Sequence, residues 1–120
     1  MLELFMLAAF MMPQPTCDSA LLDAISYVES RHNTFAISPA GAIGVLQVIP
    51  RWSRYPRFML FIPAFNRVEG CRILKRWQRR AKGNLKIALR AYNGGNVGLR
   101  GECSKCDHYA NAVLARLSPR

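Results

Sequence analysis

The stretch DSALLDAISYVESRHNTFAISPAGAIGVLQVIP, residues 18–50, joins a helical pattern to a glycine-rich turn. Its first part carries apolar residues at helical spacing, which predicts an amphipathic helix: Leu21, Leu22, Ile25 and Val28. Asp18 or Ser19 can cap this helix, because either side-chain oxygen can accept a hydrogen bond from a free backbone N–H of the first turn. The sequence therefore predicts a helix that begins here and leads into a turn.

Glu29 falls on the apolar face of this helix, four residues after Ile25. A carboxylate on a buried face is costly, because burial disfavours the charged form. A carboxyl group that stays protonated near neutral pH is also what a general acid needs. Two interpretations are open at this point: a general acid in a cleft, or a glutamate at the rim of the face, in water and without a role.

A glycine-rich turn follows the helix. Gly41 and Gly44 stand three residues apart among small residues, and such a turn lets a backbone come close to a ligand. Gln47 then supplies a neutral amide that can both donate and accept hydrogen bonds.

This order of residues resembles the lysozyme-like domain of the soluble lytic transglycosylases. That family has Glu-Ser, a loop, Ser-x-x-Gly-Ala-x-Gly-Leu-Met-Gln and a proline; here Leu46 replaces the methionine, a swap of similar volume. A second family signature, Ala-Tyr-Asn-Ala-Gly, matches residues 91–95 with glycine in place of the second alanine. The resemblance runs from about Asp18 to Leu117 and rests on three motifs in the right order.

The resemblance implies a mainly α fold of the α+β lysozyme-like class, a small helical domain with a Gly-rich turn or short hairpin beside the catalytic helix. The chain of 120 residues is long enough for one core. Residues 17–120 are expected to form the transglycosylase domain, and residues 1–16 an apolar N-terminal segment. The apolar run 1–12 is shorter than the ~20 residues that span a bilayer. It is expected to pack on the domain as a helix, or to act as a weak membrane anchor or an export segment.

Apolar residues at helical spacing predict three further helices: residues 68–82, a helix from about Asn84 to Tyr92, and residues 107–117. Gly83 and Asn84 are expected to end the first of them, since both tolerate the left-handed cap conformation. Residues 93–96 end the second. Residues 51–63 mix arginines, aromatic residues and prolines, and we expect a loop whose Phe and Met residues plug the core; stacking on sugars or bases is the alternative.

The net charge of +10 is large for this length and indicates an acidic partner, such as nucleic acid, an anionic membrane surface or an acidic polymer. Twelve of the 17 lysine and arginine residues lie between Arg51 and Arg90, so the positive charge is concentrated in the middle of the chain. An ordinary solvated helix face remains the other interpretation.

The four cysteines are an even number, which fits disulfides formed in an oxidising compartment: Cys17, Cys71, Cys103 and Cys106. Some members of the resembled family that are attached to secretion machines carry cysteines at positions similar to Cys17 and Cys71, which implies that these two pair. Cys103 and Cys106, with His108 nearby, are expected to form a local disulfide or to stay as thiols. Zinc is the alternative there, but the fourth ligand is not evident; no metal or cofactor is expected.

The resemblance also implies a mechanism with a single carboxylate. In lytic transglycosylases one Glu protonates the oxygen between N-acetylmuramic acid and N-acetylglucosamine, then acts as base toward the muramic 6-hydroxyl, which closes a 1,6-anhydro ring. Glu29 holds the matching motif position. The chain has seven acidic residues, and none of the others forms an obvious second carboxylate of the kind that many glycosidases use.

The remaining roles are carried over by motif position. Ser30 is expected to help position Glu29, and Gln47 to bind the sugar chain. Tyr92 is expected to place its hydroxyl near Glu29 and tune it. Asn93 is expected to hold its turn together rather than to touch substrate.

Peptidoglycan glycan strands are the expected partner, with phage-particle or secretion-apparatus components as further partners, in the cell envelope, the periplasm or outside the cell. A goose-type muramidase that cuts the same bond with water is the alternative enzyme. A basic nucleic-acid- or membrane-binding module is the non-enzymatic alternative. It is disfavoured because charge alone leaves Glu29, the glycine turn and Gln47 unexplained.

Overall fold

The computed structural model describes residues 12–118, and five α-helices make up most of this part of the chain. They are α1 (Ser19–Ser30), α2 (Pro63–Arg80), α3 (Leu85–Gly94), α4 (Asn96–Arg100) and α5 (Ser104–Leu117). Two short 3₁₀ helices, Pro50–Trp52 and Arg57–Phe61, precede α2. The mainly α class is confirmed, while the prediction for the N-terminal segment falls largely outside the described residues.

Helix α3 is the central element, since it packs against α2, α4 and α5, and α5 in turn packs on α1. Its inner face is the one that the sequence predicts, with Ala88 and Leu89 fully buried. Leu22 and Ile25 of α1 and Leu74 of α2 complete the centre of the core. Burying each large aliphatic side chain contributes roughly 1.5–3 kcal/mol. The core therefore fixes α1, which carries Glu29, against α5.

The glycine-rich turn lies between α1 and α2 and has two isolated antiparallel bridges, Ile37 with Ile43 and Ile43 with Val48. Gly44 has a positive φ of 78°, and a Cβ atom there would lie 2.4 Å from the Asn66 side-chain nitrogen and 2.6 Å from the Leu60 carbonyl oxygen. The close approach that this glycine allows is therefore to the protein itself. Asn66 of α2 and Leu60 occupy the space on the Cβ side of Gly44, and the expectation that this turn brings backbone close to a ligand stays a prediction.

Asn66 of α2 holds the glycine-rich turn in place. Its side chain is completely buried. It accepts a hydrogen bond from the Leu46 N–H at 2.8 Å and donates to the Ile43 and Leu60 carbonyl oxygens at 2.7 and 2.9 Å. One buried amide thus satisfies three backbone groups that would otherwise be unpaired, an arrangement that is expensive to disrupt.

Helix boundaries differ from the sequence predictions where a single residue decides them. Helix α2 begins at Pro63, not at residue 68, because proline suits the first helical turn, where its missing N–H has no partner to lose. Helix α5 begins at Ser104, not at residue 107, because the Cys103 sulfur accepts a hydrogen bond from the Cys106 N–H and caps the first turn. Helix α4 follows α3 directly after Gly95, whose φ is 66°, and was not predicted.

Asn84 does not end α2 but caps the start of α3, where its side chain accepts a hydrogen bond from the Ile87 N–H at 3.1 Å. Lys82 and Gly83 take the positive φ values that end α2. In residues 51–63, Leu60 is the fully buried side chain, whereas Phe58 is 70% exposed. The expectation that the Phe and Met residues of this segment plug the core is therefore wrong for Phe58.

Two disulfides are present. Cys17 bonds to Cys71, with Cα atoms 5.8 Å apart, and ties the segment before α1 to α2. Cys103 bonds to Cys106 within the first turn of α5. Both pairings agree with the sequence predictions, and the second uses the thiols that the zinc alternative would need.

None of the helices between residues 12 and 118 is both long enough and apolar enough to cross a bilayer.

Candidate active site

Glu29 lies one residue before the end of α1, with its carboxyl group turned toward the core. Burial raises its pKa from 4.5 to about 7, while the nearby Tyr109 hydroxyl and the charge of Lys105 act in the opposite direction. A carboxyl group with this pKa is half protonated near neutral pH. It can give up a proton and take one back, which is the requirement for an acid that later serves as a base.

Two tyrosines from different helices face Glu29. Tyr92 of α3 donates a hydrogen bond to the Leu46 carbonyl oxygen at 2.7 Å, and this fixes its phenol against the glycine-rich turn. Tyr109 of α5 is 8% exposed. Burial and the Glu29 charge raise the pKa of both phenols well above the ordinary value, so both stay protonated.

Tyr109 is a site residue that the sequence analysis assigned only to the core. Its hydroxyl is buried and has no partner of ordinary hydrogen-bond geometry among residues 12–118. Glu29 is the group that it faces. A buried hydroxyl without a close partner is uncommon in native proteins. The Tyr109 hydroxyl is therefore available to form a hydrogen bond with the Glu29 carboxyl group or with a ligand bound beside it.

Ser30 ties the end of α1 to the glycine-rich turn. Its hydroxyl lies 2.8 Å from the Val45 carbonyl oxygen and 3.1 Å from the Ser26 carbonyl oxygen. The bond to Val45 spans the gap between the helix and the turn. Ser30 therefore sets where α1 ends, and with it the place of Glu29, without donating to the carboxyl group.

Gln47 has a positive φ of 51°, and its side-chain nitrogen donates to the Gly44 and Ala36 carbonyl oxygens at 3.0 and 3.2 Å. The amide nitrogen is thus committed to the glycine-rich turn. The carboxamide oxygen is the atom that Gln47 can offer to a sugar.

A groove of about 550 Å³ opens beside Tyr92. Its walls come from the first 3₁₀ helix, from α2 and from the junction of α3 with α4, and they include Gln47, Tyr92 and Asn93. We refer to it as the arginine groove, because four arginines line it: Arg51, Arg72, Arg76 and Arg80. Glu29 is not a wall residue. Tyr92 lies between the two, because it lines the groove and also faces the Glu29 carboxyl group. Asn93 faces this groove.

Glu69 is fully buried and lies between two arginines. Arg72 approaches it at 3.0 Å, and Arg54 approaches it at 3.3 Å through its side chain and at 2.9 Å through its backbone N–H. Burial alone would raise the pKa of Glu69, but these hydrogen bonds and charges outweigh it and hold the pKa below 4.5. Glu69 is therefore an ionised structural carboxylate that joins α2 to residues 52–54, and both its oxygens are occupied.

The sequence profile of the transglycosylase SLT domain family matches residues 6–112. The chain belongs to this family. It is thus a transglycosylase SLT domain, in agreement with the resemblance carried by the motifs around Glu29 and Tyr92. No curated protein sequence matches the chain significantly.

The fold is similar to that of the 70-kDa soluble lytic transglycosylase Slt70 from Escherichia coli. The TM-score is 0.70 at 22% sequence identity, and the match covers 85% of this chain and 21% of Slt70. A complex of the 70-kDa soluble lytic transglycosylase with bulgecin A matches with a TM-score of 0.72, also at 22% identity, with the same coverage of 85% and 21%. The chain therefore spans about a fifth of the length of these proteins, and at this identity the likeness establishes the lysozyme-like SLT fold.

Proposed function

We propose that the protein is a peptidoglycan lytic transglycosylase that cleaves the MurNAc-β-1,4-GlcNAc bond, with Glu29 as acid and then as base. One observation carries the proposal. In a chain of the SLT family, the motif glutamate has a pKa raised to about 7 by burial and faces two protonated tyrosines. That arrangement keeps a proton available at neutral pH.

In the first step, protonated Glu29 gives its proton to the glycosidic oxygen as the bond from that oxygen to the muramic C1 breaks. The muramic 6-hydroxyl then attacks C1, and the Glu29 carboxylate takes the hydroxyl proton. A 1,6-anhydro ring closes, water is not consumed, and Glu29 returns to its starting form. The internal nucleophile competes well because intramolecular attack has a high effective molarity.

The surroundings of two other carboxylates support a mechanism with one glutamate. Glu69 is buried between its arginines, and Asp23, six residues before Glu29, is exposed and bonded to Arg67 at 3.0 Å. Neither is placed to activate a water molecule opposite Glu29. A goose-type muramidase would need water as the nucleophile, and the product separates the two: a 1,6-anhydro sugar or a reducing end.

Peptidoglycan glycan strands are the substrate of this proposal, and the Slt70 complex with bulgecin A supports a ligand site on this fold. Two disulfides favour an oxidising compartment, so we place the activity in the cell envelope, the periplasm or outside the cell. Phage-particle or secretion-apparatus partners, and membrane association through residues 1–12, stay predictions.

Glu29→Gln tests the proposal, because the amide is isosteric with the carboxyl group but cannot transfer the proton. We expect activity on purified peptidoglycan to fall by ~10²–10⁴-fold, the usual effect of losing a general acid. Asp23→Asn is the matched control, an exposed carboxylate of the same helix, and should retain activity. Mass spectrometry of the digest should show 1,6-anhydromuropeptides. Reducing ends in their place, or full activity of Glu29→Gln, would reject the mechanism.

A further inference from the structure

The arginine groove carries more positive charge than residues 12–118 neutralise. Arg72 is paired with Glu69. The other three groove arginines form no salt bridge within the described part of the chain: Arg51, Arg76 and Arg80. Among the residues that the structure describes, the wall includes no aspartate or glutamate. The groove is thus a concave surface with uncompensated charge of one sign, which concentrates anions.

Three of these arginines form a row along α2. Arg72, Arg76 and Arg80 are spaced four residues apart, so successive helical turns point guanidinium groups into the same groove. Like charges at this spacing destabilise a helix. Arg51 and Arg80 are also held in place, stacked on Trp52 and Trp77 at 5.3 and 4.9 Å from the ring centres. An oxyanion bound among them would relieve the repulsion, and fixed guanidinium groups suit two-point contact with such a group.

We propose that the arginine groove binds an anionic substituent of the glycan strand, so that the enzyme selects substituted strands over bare ones. This rests on the proposed function, since it names the part of the same substrate that the groove holds. Tyr92 connects the two places, because it lines the groove and faces Glu29. The ligand is an oxyanion. Its two possible sources on a glycan strand are a carboxylate of a peptide side chain and a phosphate of an attached polymer.

The test compares two arginines of one helix. Arg76 and Arg79 are both exposed, but Arg76 lines the groove and Arg79 does not. Arg76→Glu and Arg79→Glu change the net charge equally, so only direct contact distinguishes them. Each is made in the Glu29→Gln background, which leaves the strands uncut during a binding measurement. Circular dichroism checks that both variants fold.

Three strand preparations serve as probes: strands bearing peptides, the same strands after an amidase has removed the peptides, and stripped strands that carry a phosphodiester polymer. Arg76→Glu should weaken binding to one or both anionic preparations by about tenfold or more, the scale of a lost charge-assisted contact. Arg79→Glu should have a much smaller effect, which disappears as salt is raised. The preparation that loses affinity identifies carboxylate or phosphate as the ligand.

Equal losses for the two variants would overturn the proposal, because the charge would then act only at long range. Equal affinity for stripped and substituted strands would also overturn it, as would equally tight binding of a single-stranded oligonucleotide. This binding measurement does not depend on catalysis. If the parent chain cuts no peptidoglycan while Glu29→Gln shows the Arg76 effect, the proposed function fails and the groove assignment stands.

Discussion

Glu29 and Tyr109 come from α1 and α5, and each changes the acidity of the other. The nearby Tyr109 hydroxyl lowers the pKa of Glu29, while burial and the Glu29 charge raise the pKa of Tyr109. The carboxyl group is thus balanced between burial, which favours its protonated form, and a phenol that favours its charged form. Tyr109 acts through Glu29, so we regard it as a positioning residue.

Tyr109→Phe should move the pH profile of the enzyme. The change removes only the hydroxyl, so the pKa of Glu29 should rise further above about 7. The first step needs protonated Glu29, and the rate should therefore decline at a higher pH than in the parent chain. The measurement is kcat on soluble glycan strands across the pH range.

Tyr27→Phe is the control, since Tyr27 lies on α1 but does not contact Glu29 through its hydroxyl. A lower kcat with an unshifted pH profile would show that Tyr109 only packs. The two kinds of effect are separable because lost packing scales the rate at every pH alike.

The sequence predicts Glu29 and Tyr92 because each stands in a short motif on one helix face. Tyr109 and Asn66 escape such a prediction for a physical reason. Tyr109 has the spacing of a core residue on α5, and Glu29, which it faces, lies 80 positions earlier in the chain. Asn66 satisfies backbone groups of a distant turn. Polar contacts between remote segments leave no local periodicity.

At the scale of secondary-structure elements, Glu69 links α2 to the segment between the two 3₁₀ helices. Its carboxylate accepts from Arg72, one turn further along α2, and from Arg54 in the segment between the 3₁₀ helices. Arg72 also donates to the Trp52 carbonyl oxygen at 2.5 Å. The first 3₁₀ helix, which forms one wall of the arginine groove, is therefore attached through this buried carboxylate to α2, which forms another wall.

Glu69→Gln should destabilise the fold strongly. The amide keeps the shape but removes the negative charge between two arginines. Losing one partner of a fully buried ion pair costs about 3–5 kcal/mol, and we expect a loss of about 2 kcal/mol here, because the Arg54 side chain is 65% exposed and water screens its charge. The pKa of Glu69 is held below 4.5 in the folded chain. The stability that it adds is therefore present above that pH and is lost as the pH falls through its folded-state pKa. Urea unfolding near neutral pH measures the loss.

Glu102→Gln is the matched control, because Glu102 is bonded to Arg100 with both side chains more than half exposed. An exposed pair contributes less than about 1 kcal/mol. If Glu69→Gln costs no more than this control, the cluster is not a structural link.

Helix positions follow from apolar spacing, whereas helix ends depend on individual hydrogen bonds. The inner face of α3 is predicted residue by residue, because burial requires a helical period. The starts of α2 and α5 are set by Pro63 and by the Cys103 cap, and neither changes the period. Helix α4 has five residues, too few for a period to appear.

At the scale of the whole molecule, the two disulfides differ in the length of chain that they close. Cys17 and Cys71 are 54 positions apart, so their bond joins the segment before α1 to α2 around the glycine-rich turn and residues 51–62. Cys103 and Cys106 are three positions apart and act within α5 alone. In each pair one cysteine is buried and the other is half-buried.

Replacing each cysteine pair by alanine should therefore distinguish two contributions to the free energy of unfolding: the loop closure imposed on the unfolded chain and the packing of the sulfur atoms. The entropy that a cross-link removes from the unfolded chain grows with loop length, which predicts a loss of about 4 kcal/mol for Cys17→Ala with Cys71→Ala. The same relation gives about 1.5 kcal/mol for Cys103→Ala with Cys106→Ala. The free energy of unfolding in urea, extrapolated to water for both variants and the parent, checks this order. Equal losses would mean that the sulfur contacts, and not the constraint on the unfolded chain, supply the stability. A larger loss for the short pair would instead point to the Cys103 cap and to the packing of Cys106 against Gly94, where a Cβ atom would lie 2.2 Å from the sulfur.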